Sequence, residues 1–167
     1  MRQTITFKEI LQEEEIKTYI RRADLSLERM GFTEHSFAHV MRVSKCAGDM
    51  LQQLGYDEHD VELARIAGYM HDIGNVINRI DHAQSGAIMA FRILDKMGMQ
   101  YEDIAKIIAA IGNHDESTAF PVNSVAAALI LADKTDVRQS RVRNQDFAQF
   151  DIHDRVNYSV KESTVHI

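Results

Sequence analysis

Apolar residues recur at steps of three and four along most of the chain, the spacing that places them on one face of an α-helix. The first such run extends over about 7–23, and a shorter one follows and ends at Gly31. Thr33 can cap a further helix, whose apolar face continues to Leu54. Gly55 then supplies a stop signal. The first third of the chain is therefore predicted to be helical.

The rest of the chain follows the same pattern. Asp57, or the pair His59-Asp60, can open the next helix, and Ser124 can cap a later one. These and the other predicted helices cover about 57–70, 82–97, 101–111, 125–137 and 151–160. Only the last residues, 163–167, look strand-like. Because there is no internal repeat and no alternation of strands with helices, the sequence predicts an all-α domain.

Composition and charge narrow the class of protein. The chain has 167 residues, of which 45% are hydrophobic and 26% charged, as in an ordinary globular domain. A net charge of −6 argues against non-specific binding to nucleic-acid polymers or anionic membranes, both of which favour a basic surface. The lone Cys46 excludes an internal disulfide and a Cys-rich zinc site. With no signal-like segment and no apolar run of about 18 residues, we expect a cytoplasmic protein.

The dipeptide His71-Asp72 is the strongest candidate for chemistry. The same dipeptide also occurs at residues 59, 114 and 153, but this copy follows an apolar run of small residues, 64–70. Imidazole and carboxylate groups are good metal ligands. Burying them among apolar neighbours is costly unless they are paired or coordinated. A bound metal ion would explain both the residue types and their setting.

Other potential ligands also lie on or beside helices with apolar faces, namely His39, His82, His114 and Asp133. An ionised Asp133 on an apolar face needs a cation, either a metal or an arginine of a neighbouring helix such as Arg42, Arg65 or Arg138. His35 could contact a metal ligand without binding the metal itself, but an exposed position is favoured. The settings of His59, His153 and His166 indicate ordinary surface residues, and Cys46 is expected to be a small buried hydrophobe.

Taken in order, these motifs resemble those of the HD-domain superfamily of metal-dependent phosphohydrolases. The matching segments are Glu34–Val43, Gly68–Gly74, Asp81–Ala83, Ile111–His114 and Leu131–Lys134. The resemblance covers about 32–141, which would form the core of a single domain spanning 1–167. Helices within 7–30 would precede this core, and a tail, 144–167, would follow it. The superfamily fold is an all-helical bundle, in agreement with the hydrophobic pattern.

The resemblance also implies a set of metal ligands. In that superfamily the first His, the His-Asp pair and the distal Asp bind the metal, and members with two metals add intervening histidines. Carried over to this sequence, the ligands are His39, His71, Asp72 and Asp133, with His82 and His114 as the additional pair. Such ligands suit Fe, Mn, Co, Ni, Zn or Mg, so one or two divalent ions are the expected cofactor.

The catalytic roles depend on the number of ions. With two ions about 3.5–4 Å apart, Asp72 would bridge them, and together they would activate a water molecule and clamp a phosphoryl group. With one ion, His82 and His114 would instead contact phosphate or donate a proton to the leaving oxygen. Lys134, and with it Arg138, Arg141 and Arg143, could hold substrate phosphate. A solvated helix end is the alternative for these cations, and it is favoured for Arg141 and Arg143. The predicted catalytic residues are Asp72, His82, His114 and Lys134.

The sequence therefore predicts a metal-dependent phosphohydrolase acting on a small phosphate ester, with a nucleotide as the expected substrate class. The alternative is a non-catalytic HD module that binds metal or a nucleotide for regulation. One departure from the superfamily pattern stands beside the motif: Gly74-Asn75 replaces the Gly-Lys usual in its signalling phosphodiesterases, which argues against a cyclic dinucleotide. Neither a nucleic-acid polymer nor a membrane is expected as a partner. The strand-like tail suits a homodimer contact or the edge of a longer protein.

Overall fold

The computed structural model describes residues 2–144, 146 and 150–167. Over these residues the chain forms eight α-helices, which are α1 Phe7–Ile10, α2 Glu14–Arg29, α3 Phe37–Gln53, α4 Glu58–Met70, α5 His82–Met97, α6 Tyr101–Gly112, α7 Ser124–Thr135 and α8 Ile152–Ser159. Short 3₁₀ turns follow α4 and α7, at Ile73–Val76 and Gln139–Arg141. The described residues contain no β-strand, only a single bridge between Gln3 and Met99. The all-α prediction is confirmed.

The N-terminal helix boundaries differ from the prediction. The helix expected over 7–23 ends at Ile10, and α2 then runs without a break through the gap expected near Asp24. The first turn is fixed separately because Thr6 and Glu9 form a capping box and the Phe7 N–H donates to Glu62 at 2.7 Å. No glycine or proline interrupts α2, so helical hydrogen bonding continues to its end.

Two predicted caps are displaced by one to three residues. Ser36, rather than Thr33, caps α3, and its hydroxyl accepts from the Ala38 N–H at 3.1 Å. Asn123, rather than Ser124, caps α7 by accepting from the Ala126 N–H at 2.7 Å. In both places several cap-forming side chains are adjacent, and the chain direction selects among them.

Helix α4 forms the centre of the bundle and carries the His-Asp pair into it. The helix packs against α3, α6 and α7, and its residues from Ala64 to Met70 are buried except Arg65. Gly68 permits the close crossing with α3, since a Cβ there would lie 2.7 Å from the Ser44 Cα. Because α4 is surrounded by other helices, the residues that follow its last turn lie in the interior.

Glycines also hold the start of α5 against the 3₁₀ turn after α4. A Cβ on Gly74 would lie 2.0 Å from the His82 carbonyl oxygen and 2.5 Å from the Gly86 nitrogen. No other residue type fits this approach. The contact brings the first residue of α5 next to the His-Asp pair.

The C-terminal residues form no strand. Over 163–167 the described chain has no β partner, so the strand-like prediction is wrong. The segment instead passes over the end of α7, where the Ser163 hydroxyl donates to the Thr135 carbonyl at 2.9 Å. Strand residues require a neighbouring edge for their backbone hydrogen bonds, and a helical bundle offers none. The homodimer contact expected of this tail stays a prediction.

Candidate metal centre

The fold brings all six predicted ligands together at one buried place. They come from five parts of the bundle: α3, the end of α4, the start of α5, the end of α6, and α7, with two ligands at the end of α4. The ligands are His39, His71, Asp72, His82, His114 and Asp133. All are buried except Asp133, whose side chain is largely buried. Their roles as ligands stay predictions, but their convergence is a feature of the structure.

The side chains form three overlapping groups in which the ligand atoms lie within 4.8 Å of one another. The groups are His39-His71-Asp72, His71-His114-Asp133 and Asp72-His82-His114. His71, Asp72 and His114 each belong to two groups. Each imidazole has one free nitrogen, so only the Asp72 carboxylate, with two oxygens, could serve two cations at once. The cluster could hold a divalent metal.

A common hydrogen bond fixes the tautomer of three of these histidines. The Nδ1 atoms of His71, His82 and His114 lie 2.8, 3.0 and 2.7 Å from the carbonyl oxygens three residues earlier. A carbonyl can only accept, so each Nδ1 carries the hydrogen, and each Nε2 of a neutral ring presents a lone pair to the cluster. This is the orientation that protein structures use for metal-binding histidines.

His39 is oriented by a carboxylate instead. Its Nδ1 donates to Asp136 Oδ2 at 2.8 Å, while its Nε2 lies 3.3 Å from the Nε2 of His71. Two neutral rings held in this way would point lone pairs at each other. Such an approach requires a proton or a metal cation between the two nitrogens.

The carboxylate of Asp72 completes this arrangement. Its Oδ2 is buried without a hydrogen-bond partner among the described residues, although it lies 3.2 Å from His71 Nε2 and 3.5 Å from His39 Nε2. Its Oδ1 accepts from Asn75 Nδ2 at 2.9 Å and lies 3.6 Å from His82 Nε2. An unpaired buried carboxylate oxygen is expensive. A divalent cation bound by imidazole and carboxylate groups fits this site.

Charge in the metal-free cluster is shared between the rings and the carboxylates. Burial disfavours the imidazolium form of His39, but hydrogen bonds to Asp133, Asp136 and Asp72 outweigh it and raise its pKa to about 9. For His71, the attraction of Asp72 likewise outweighs burial and raises the pKa to about 10. Burial prevails at His114, lowering its pKa to about 4, and it also lowers the pKa of His82.

Three further residues support the centre. Asp136 orients His39, Asn75 holds Asp72, and His35 packs its ring edge-on against His39 with centroids 5.3 Å apart. The exposure favoured for His35 is wrong: its Nδ1 lies 2.7 Å from the Thr33 carbonyl, and burial lowers its pKa to about 3. The sequence gives one signal for Asp136, which follows Asp133 by three residues, one helical turn.

The cations after α7 have different positions from those predicted. Arg138 donates to Asp136 at 3.0 Å and to Glu34 at 2.6 Å, while Arg143 donates to both Asp24 oxygens at 2.7 Å. Arg141 is buried and donates to the Asp136 carbonyl at 2.7 Å, so neither it nor Arg143 forms a solvated helix end. These arginines fasten the chain after α7 to the N-terminal half.

Lys134 remains available beside the centre. Its Nζ lies 3.1 Å from Asp133 Oδ2 and 3.6 Å from Glu116 Oε2, and its side chain is partly exposed. It lines a cavity of about 310 Å³, to which Asp133 and His35 also contribute. A second cavity of about 270 Å³ lies on the His82 side. The centre is thus flanked by two spaces of small-molecule size.

The fold and the centre define a class of protein: an all-helical domain with a buried His/Asp cluster that could hold a divalent metal. The family model for the HD domain matches residues 36–155. The chain belongs to the HD domain family. A crystal structure of a predicted HD superfamily hydrolase from an uncultured Thermotogales bacterium superposes with a TM-score of 0.59 at 25% identity, covering 79% of this chain and 74% of that one.

Curated relatives include longer proteins. An uncharacterized protein of Methanocaldococcus jannaschii is 23% identical over 159 residues, which are 82% of this chain and 61% of that protein. Ribonuclease Y of Bacillus thuringiensis is 27% identical over 122 residues, which are 73% of this chain and 22% of the enzyme. Ribonuclease Y of Listeria welshimeri is 32% identical over 62% of this chain and 18% of its own length. The chain thus spans only part of these relatives. Within the part that the structure describes, no helix combines the length and apolarity that crossing a bilayer requires.

Proposed function

We propose that this protein is a metal-dependent phosphohydrolase acting on a small phosphate ester, with a nucleotide as the substrate class. The observation that carries the proposal is the carboxylate of Asp72, whose unpaired buried oxygen faces the Nε2 atoms of His39 and His71. Membership of a family that includes hydrolases supports a hydrolytic role for the centre. The non-catalytic HD module remains the alternative that the test below separates.

The residues fit one or two divalent ions. His39, His71, Asp72 and Asp133 would hold one ion, and His82 and His114 would join Asp72 around a second. When bound, such an ion lowers the pKa of a water molecule and polarises a phosphoryl oxygen. The rings keep their tautomers through their Nδ1 bonds, and Asn75 keeps the Asp72 carboxylate aimed at the centre.

The orientation of His82 and His114 favours a ligand role over proton donation. Both rings donate from Nδ1 to a carbonyl, so a neutral ring offers only a lone pair at Nε2. Lys134 is better placed to donate a proton or to neutralise the leaving oxygen, since it lines the neighbouring cavity and its Nζ lies 3.1 Å from Asp133 Oδ2.

Cavity size and charge support a small substrate. The two spaces beside the centre measure about 310 and 270 Å³. Asp115 and Glu116 lie at their edges, and the chain carries a net charge of −6, so a long polyanion would meet repulsion. The relatives named Ribonuclease Y make RNA the competing substrate, and the test therefore includes it.

The test is to load the purified protein separately with Mn, Co, Ni, Zn and Mg, and to measure bound metal and hydrolysis on one panel. The panel contains nucleotides, p-nitrophenyl phosphate, bis-p-nitrophenyl phosphate and a short RNA. Changing both His71 and Asp72 to Ala should remove metal and activity together. The matched control changes both residues of the His59-Asp60 dipeptide, which lies outside the cluster and pairs with Asp103 and Lys106.

The outcomes separate the candidate functions. Hydrolysis of a nucleotide by the wild type but not by the double variant supports the proposal. Bound metal with no hydrolysis of any panel member supports the non-catalytic module. Cleavage of RNA alone supports a ribonuclease function instead. Unchanged metal content in the double variant would refute the site itself.

A further inference from the structure

One half-buried arginine at the centre lacks the anionic partner that nearby arginines have. Arg79 lies in the loop between the 3₁₀ turn after α4 and the start of α5. Among the described residues, no carboxylate oxygen lies within 4.0 Å of its guanidinium group, unlike Arg138 and Arg143. Its polar contacts are long: Nη1 is 3.4 Å from Asn75 Oδ1 and 3.4 Å from His82 Nε2.

The position of Arg79 relates it to the chemistry rather than to the scaffold. Arg79 lines both cavities that flank the cluster. The Phe32 ring lies on one side, 5.7 Å from the guanidinium carbon. The Arg79 carbonyl separately fixes the His82 ring through its Nδ1 at 3.0 Å. The backbone of this residue therefore serves the centre. Its side chain has no carboxylate within 4.0 Å among the described residues, although its charge is among the causes that lower the pKa of Asp115.

Occupation of the centre would remove one of the side chain's present contacts. His82 Nε2 has a single lone pair, which cannot both bind a cation and accept from Arg79. With a cation beside it, the guanidinium group would also face a like charge unless an anion lay between them. A phosphoryl group would meet both needs: its oxygens replace His82 as acceptors for the planar N–H fork of Arg79, and its negative charge lies between the two cations.

From this geometry we propose that Arg79 is a substrate-binding residue that holds the phosphoryl group against the His/Asp centre. The rest of the ester then extends into one of the flanking cavities. The proposal rests on the proposed function, because it assumes that a phosphate ester is the ligand. Arg79 would then serve in place of the lysine that the superfamily's signalling phosphodiesterases carry where this chain has Asn75, four residues before Arg79.

The experiment measures binding as well as turnover. Inorganic phosphate is titrated calorimetrically into the metal-loaded wild type and into Arg79→Gln, Arg79→Lys and the control Arg42→Gln. Arg42 is exposed on α3 and lines neither flanking cavity, and its substitution removes the same charge. Metal content is measured for every variant.

We expect Arg79→Gln to weaken phosphate binding by about 10- to 100-fold, the loss typical of a charge-assisted hydrogen-bonding group, with metal content unchanged. Arg79→Lys should fall between Arg79→Gln and the wild type, because it keeps the charge but loses the fork. Arg42→Gln should bind phosphate as the wild type does.

Failure of this inference is distinguishable from failure of the proposed function. If the wild type binds phosphate and Arg79→Gln binds it with the same affinity, the inference about Arg79 is overturned and the proposed function is not. Loss of metal from both Arg79 variants would overturn it by showing that the side chain supports His82 instead. A metal-loaded wild type that neither binds phosphate nor hydrolyses any ester would overturn the proposed function as well.

Discussion

The residue that departs from the superfamily pattern, Asn75, allows a sharp test of how Asp72 is held. Asn75 is only 1% exposed, and its Nδ2 donates to Asp72 Oδ1 at 2.9 Å and to the Asp72 carbonyl at 3.0 Å. In Asn75→Ala the carbonyl keeps the backbone N–H of residue 75, also at 3.0 Å. Among the described residues, the Asp72 carboxylate loses its only amide donor. The other neighbour of its Oδ1, the Nε2 atom of His82, lies 3.6 Å away and cannot replace the lost bond.

The magnitude follows from that single bond. A hydrogen bond to a charged group contributes about 1.5–3 kcal/mol. Residues that orient a ligand typically affect metal affinity by about 10- to 100-fold. At about 1.4 kcal/mol per tenfold, this corresponds to about 1.4–2.8 kcal/mol. The two ranges agree, so we expect Asn75→Ala to weaken metal binding by about 10- to 100-fold.

The assay is a competition between the protein and a chromophoric chelator for Co or Zn, with urea unfolding of the metal-free protein in parallel. The matched control is Asn78→Ala, because Asn78 is exposed in the following loop and its Oδ1 accepts only from the Ile80 N–H at 2.9 Å. The control should retain wild-type metal affinity. An Asn75→Ala protein that binds metal within twofold of the wild type would refute the view that this amide aims the carboxylate at a cation.

Three further predictions test the packing, the charge and the support of the centre. Gly68→Ala should destabilise the protein by about 1–3 kcal/mol or more in urea unfolding, because its Cβ would lie 2.7 Å from the facing helix backbone. Gly112→Ala, whose nearest atom would be 3.6 Å away, should change little, and equal effects would contradict the crossing. The raised pKa values of His39 and His71, about 9 and 10, indicate that this pair holds a proton at pH 7, so metal binding should release protons and strengthen as pH rises; calorimetry in buffers of different ionisation enthalpy measures this, and no release would contradict it. Asp136→Ala should weaken metal binding about 10-fold in the chelator assay, and unchanged affinity would mean that His39 is oriented without it.

The sequence predicted those elements whose signals are local. Helices α5 and α6 begin and end within about a residue of their predicted bounds, since Gly98 stops one and a regular apolar face defines the other. The HD motifs likewise indicated which residues would converge. The apolar run before His71 correctly indicated that the pair would be buried.

Other boundaries depended on long-range contacts. The separate first turn could not be read from periodicity, because its first residue, Phe7, donates its N–H to Glu62 of α4, 55 residues away. The prediction of a strand over 163–167 failed for a related reason: pairing requires a neighbouring edge, which the composition of a segment does not report.

What the sequence by itself determined is the all-helical pattern and the set of candidate His and Asp ligands, of which a buried α4 would carry His71 and Asp72 inward. Only the tertiary structure decided their chemistry. Carbonyls one turn earlier set the tautomers, and Asn75 and Asp136 aim the ligands. Arg138 and Arg143 are paired with carboxylates, whereas Arg79 has none within 4.0 Å among the described residues. The reason is physical: residue type fixes what a group can bind, but distances of a few ångströms between helices fix what it does bind.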